Sequence, residues 1–109
     1  MIAFSPSGPI LSFTGATSAP TSVHAVSLTG VNVQQYMLSN TDSTIDCVVG
    51  WGATDSEAKL NADAGSNVSK CYYLMRGTQV AITASTGAFF SGITGSSTAV
   101  IKVQAGYGN

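Results

Sequence analysis

His24, Cys47 and Cys71 carry the nitrogen and sulfur lone pairs best suited to hold a metal or attack an electrophile in this sequence. With a single histidine, and without the close cysteine pair usual in zinc motifs, they make a poor ligand set. Both cysteines sit in apolar alternating runs, where burial raises a thiol's pKa, so a Cys–His nucleophile is disfavoured. The plainer reading is two buried or half-buried thiols and an ordinary strand histidine. Asp42 and Asp46 stand close on one strand-turn segment, and Asp55, Glu57 and Asp63 share a polar helix-like stretch. Paired carboxylates can serve acid–base chemistry or calcium, but these have no EF-hand order and read more simply as a solvated face. The run "SPSGP" lacks the lysine and the strand-to-helix setting of a phosphate loop. The sequon "NVS" at Asn67 matters only in a secretory pathway. No enzyme, metal or cofactor is expected from these residues.

Aromatic side chains offer a second kind of chemistry. Trp51, Tyr72, Tyr73, Phe89 and Phe90 could stack on a sugar ring, although on alternating strands core packing is the simpler role, for Trp51 above all.

The elements that would position these residues are strands. "TIDCVVGWG" places Ile45, Cys47, Val49 and Trp51 on one face against Asp46, Val48, Gly50 and Gly52, which predicts a sheet with one buried face. "VSKCYYLM" and "TQVAITA" alternate in the same way, and the "RG" between them predicts a hairpin. "GAFFSGIT" and "TAVIKVQAG" predict two more strands joined by a "GSS" turn. "PILSFTG", "SVHAVSLTG" and "VNVQQYMLSN" are further strand candidates. Only "TDSEAKLNADAG" carries a helical start signal: Thr54 with Glu57 fits a capping box, and a helix of one or two turns near residues 55 to 63 is predicted. Short strands spaced by turns indicate an all-β chain, a compact antiparallel sandwich or barrel with at most one short helix.

Composition narrows the partners. The 109 residues suffice for one domain and one core. Asp, Glu, Lys and Arg make up only 8% of the chain, against a usual share of about 25%. Their place is taken by 15 Ser, 12 Thr and 12 Gly, so the surface must be largely uncharged. Residues 1 to 41 have no charged side chain, and Lys102 is the one charge after Arg76. A net charge of −1 without a basic cluster disfavours nucleic acid and a polybasic membrane contact. "MIAFSPSGPILSF" has no basic region followed by a continuous apolar run, so synthesis in the cytosol with reduced cysteines is expected.

A charge-poor, hydroxyl- and glycine-rich β chain carrying "LMRGTQVAITA" and then "FFSGITGSSTAVIKVQAGYGN" resembles the small virion proteins of tailed bacteriophages, closest to capsid cement or decoration proteins. That resemblance implies a jelly-roll-like sandwich spanning residues 1–109, with extended N- and C-terminal segments. It implies a structural protein on the capsid surface, made in the host cytoplasm, whose partners are the major capsid protein and other copies of itself. The insert "TDSEAKLNADAGSN" departs from a strand pattern and would form an outward loop. The uncharged ends hold Phe4, Ile10, Leu11, Phe13 and Tyr107, more apolar side chains than so small a core should cover. Phe4, Ile10, Phe13 and Tyr107 are therefore the expected interface residues. The alternative is a head-fibre or tail module that binds a host-surface glycan or receptor through Trp51 or the Tyr72–Tyr73 pair.

Overall fold

The strands pair in a nested order, first with last and inward from there. The computed structural model describes residues 5–18, 23–24, 35–64, 70–84 and 88–107. In chain order they form β1 (Ser5–Gly15), β2 (Val23–His24), β3 (Gln35–Asn40), β4 (Cys47–Gly52), α1 (Asp55–Ala64), β5 (Cys71–Leu74), β6 (Gln79–Thr83), β7 (Phe89–Thr94) and β8 (Ala99–Tyr107). Antiparallel ladders join β1 to β8, β2 to β7, β3 to β6 and β4 to β5. Two further ladders, β3 to β8 and β4 to β7, close the sheets β1-β8-β3-β6 and β2-β7-β4-β5. A long antiparallel ribbon rolled over itself has this order, which is the jelly roll.

Alternation decides what lies between the sheets. Cys47, Val49 and Trp51 of β4 point inward with Ile45 packed beside them, as their spacing predicts. Tyr36 and Leu38 face them from β3, Ile101 and Val103 from β8, and Ile82 from β6. Phe90 stands at the centre, edge-on to Tyr36 at 5.0 Å and tilted against Trp51 at 6.2 Å, so one aromatic set spans both sheets.

Three local expectations are corrected. The segments around "RG" do not form a hairpin, because β5 and β6 belong to different sheets. Both must turn an apolar side chain inward, Leu74 and Ile82, and the connection between them crosses from one sheet to the other. Gly77, at φ 67°, makes that crossing, and its N–H donates to Asn40 O at 3.0 Å. The strands flanking "GSS" form and are joined there as expected, and they too lie in opposite sheets.

The charged insert is not an outward loop. It is a ten-residue helix, longer than expected, lying on the outer face of β4 and β7. Its start is the capping pair read from the sequence. The Glu57 N–H donates to Thr54 Oγ1 at 3.2 Å, and the Glu57 carboxylate reaches back to accept the Ala53 N–H at 2.8 Å. Ala58 and Ala62 face the sheet, and Asn61 donates to Trp51 O at 2.7 Å. The helix comes so close that a Cβ on Gly50 would collide with the backbone of Ala62. The sheet at β4 is thus covered on both sides, where the pattern suggested one.

The ends differ too. From Ser5 to Gly15 and from Ala99 to Tyr107 they are paired strands rather than extended segments. Phe13 is 6% exposed and belongs to the core, so within one chain it offers a partner no surface. Phe4 and the Tyr107 side chain lie outside the described residues, as does Asn67.

Candidate interaction surface

The residues that could do chemistry are kept apart. His24 pairs with Phe89 at one end of β7 and stacks on its ring at 4.1 Å, while Cys47 pairs with Thr94 at the other end. Five residue steps along the strand, about 17 Å, separate those two positions. Cys47 points into the core, and burial pushes its thiol up to about 11, which leaves it protonated at neutral pH. Cys71 is opposite Gly50, one of the outward-facing positions of β4, so the two thiols lie on opposite faces of one sheet. Among the described residues no group of three or more His, Cys, Asp or Glu gathers.

The carboxylates are engaged in holding turns. Asp42 accepts the Thr44 N–H at 2.8 Å, the Thr44 hydroxyl at 3.0 Å and the Ile45 N–H at 3.0 Å. The Thr44 backbone bond is the main reason its carboxyl lies below the usual range. Asp46 accepts the Arg76 N–H at 2.8 Å, Arg76 Nε at 3.1 Å and the Tyr73 hydroxyl at 2.7 Å. The Arg76 backbone bond leads in depressing its carboxyl, and the same cluster raises the Tyr73 phenol through the bond to Asp46. Asp55 meets Lys59 at 3.9 Å along α1.

The aromatic platform is not assembled either. Trp51 is 7% exposed and packs in the core. Its remaining edge lines a cavity of about 210 Å³ beside Ala53, Lys70, Thr83 and Ala88, which brings one cation and no carboxylate. Tyr72 and Tyr73 are exposed, but as consecutive strand residues they point to opposite faces and cannot flank one ring.

What the fold does build is an open sheet face. The outer side of β1-β8-β3-β6 is covered by no other element among the described residues, whereas α1 lies over the opposite sheet. Register sets its side chains in rungs across the strands: Ile10, Gln104, Met37, Ala81, then Ser12, Lys102, Ser39, Gln79. Thr14 and Val100 follow. A shallow depression of about 480 Å³ lies between the first two rungs, lined chiefly by apolar groups of Ile10 and Met37 and by the stem of Lys102. Ile10 is 65% exposed, and Lys102 is the single charge of the face, in no ion pair among the described residues. Of the four interface residues expected from the sequence, only Ile10 is placed here. The others on the face were missed individually, though their common signal was in view: the outward positions of four alternating strands are almost free of charge.

No protein family, curated protein or solved structure matches this chain. The open face therefore has to be read from its own chemistry. A flat array of hydroxyls, amides and short apolar groups can bind an extended complementary surface, since few of its side chains lose much rotamer freedom and one ammonium alone must be desolvated.

Proposed function

We propose that this chain is a structural virion protein that binds an assembled phage capsid from outside and holds neighbouring capsid subunits together. The open face of β1-β8-β3-β6, carrying Lys102 as its one charge, carries this reading. The resemblance of residues 74–84 and 89–109 to phage decoration proteins supplies the class of partner, the major capsid protein. Reinforcement then needs no active site: a ligand bound only by the intact shell stabilises it by mass action, in proportion to the logarithm of its concentration over its dissociation constant. The charged loop and helix, from Asp42 to Lys59, stay in water.

The test uses particles lacking this protein. Wild type, Ile10→Asp and Lys102→Glu are added, and bound copies and the temperature of DNA release are measured. Both substituted positions are exposed, so the domain stays folded. Wild type should bind and raise the release temperature, and the two variants should bind at least about tenfold more weakly, through a buried unpaired charge or a reversed one. Equal binding and protection by all three proteins rejects the open face as the attachment surface. Failure of wild type to bind any shell rejects the function itself.

A further inference from the structure

The second feature of this sheet is its edge. In an antiparallel ladder, alternate residues turn their N–H and C=O toward the partner strand, and those between turn away from it. The Asn40 N–H donates to Thr78 O at 2.9 Å, which marks the hydrogen-bonded pair at the start of the β3–β6 ladder. Continuing that register, Val80 and Ile82 bond to β3. The Thr41 N–H, donating to Val100 O at 3.1 Å on the other side of β3, has the matching phase. Gln79, Ala81 and Thr83 therefore direct their N–H and C=O groups off the edge of the sheet.

Two of the other edges, β1 and β5, are guarded. β1 carries Pro6 and Pro9, which have no N–H, and its register shifts between Pro6 and Ile10. β5 is four residues long and lies between Lys70 and Arg76. Only two residues of β2 are described. Among the described strands β6 alone offers five residues with no proline, no bulge and no neighbouring charge, in the β-favouring run "QVAIT".

We propose that β6 pairs antiparallel with β6 of a second copy of this chain, about a two-fold axis through Ala81. Gln79 then faces Thr83 of the other copy, Ala81 faces its equivalent, and all three outward N–H groups and their carbonyls are paired. A second copy suits this edge because no charge on β6 opposes itself across the axis. On the inner side Val80, half-buried in one chain, meets Ile82 of the other. The dimer joins two open faces into one continuous sheet. It does not depend on what that face binds.

Sedimentation equilibrium of the purified full chain tests this, with Ala81→Pro and Ala81→Lys as variants and Leu60→Lys, on the exposed side of α1, as control. Pro is compatible with the fold here because the Ala81 N–H does not bond to β3. Wild type and control should show a concentration-dependent monomer–dimer equilibrium, and both Ala81 variants should raise the dissociation constant by roughly tenfold or more. Hydrogen exchange of the wild type needs no variant: the amides of 79, 81 and 83 should gain protection with concentration while those of 80 and 82 are protected throughout. A wild type that is monomeric at every concentration overturns the proposal. So does a dimer indifferent to both variants, or edge amides that stay unprotected in the dimer. Protection that arises only on capsid particles assigns the edge to the shell instead of a second copy and equally overturns it.

Discussion

Asn40 shows how much one side chain can fix. It is buried, its Nδ2 donates to Ile45 O at 3.0 Å and to Leu74 O at 3.1 Å, and its Oδ1 accepts the Asp42 N–H at 3.0 Å. One amide thus holds the turn that follows β3 and ties it to the end of β5, 34 residues away. Asn40→Leu leaves those groups without a partner and should cost about 3 kcal/mol in a urea titration, since a buried orphan group carries its desolvation penalty. Val49, fully buried on β4, tests the core: Val49→Ala should cost about 2 kcal/mol by transfer and cavity terms, lowering the melting temperature by roughly 10 °C. Asp42 and Asp46 set the acid limit. Their folded carboxyls lie below the ordinary range, so their contribution is complete above the unfolded value and is lost as pH falls through the folded one. Melting temperature should therefore drop as pH is lowered from about 4, and Asp46→Asn should flatten that limb. An unaltered acid limb in Asp46→Asn would show that the clasp to Arg76 and Tyr73 contributes nothing.

At the scale of elements, the contact between α1 and β4 rests on the absence of a side chain. Any Cβ at Gly50 runs into the helix backbone, which cannot rotate away as a side-chain tip would. Gly50→Ala should destabilise the fold by about 3 kcal/mol or displace α1, whereas Gly95→Ala, which meets open space, should be close to neutral. Denaturant midpoints of the two variants give the comparison directly. The capping pair was legible because it is local: Thr54 and Glu57 reach each other across one turn. The docking of the helix was not, because two glycines on a strand look like weak strand residues until another backbone is found against them.

For the whole molecule, the nested pairing makes the two chain ends structural. Ala105 is buried in β8 opposite Tyr36, and Gly106 pairs with both Pro6 and Gln35. Deleting residues 105–109 should lower the melting temperature as well as any attachment, so loss of binding in that variant would not by itself identify an interface. Point changes on the open face separate the two effects, since Ile10 and Lys102 can be altered without touching the core. The same geometry explains why an uncharged surface is useful here: both the face and the β6 edge can be covered by a partner with little charge to desolvate.

The sequence by itself determined that the chain is all-β with one short helix, that its strands alternate, and which side of β4 faces inward. These follow from side-chain direction, which alternates residue by residue and needs no distant partner. It also placed Ile10 among exposed apolar residues. Only the tertiary structure decided that the "RG" and "GSS" turns cross between sheets, that Phe13 is core, that the Asp-rich insert covers β4, and that one sheet face and one strand edge are left open among the described residues. Gly-containing turns serve a hairpin and a sheet-crossing connection alike, so strand order depends on which apolar faces can be buried together, a property of the whole chain.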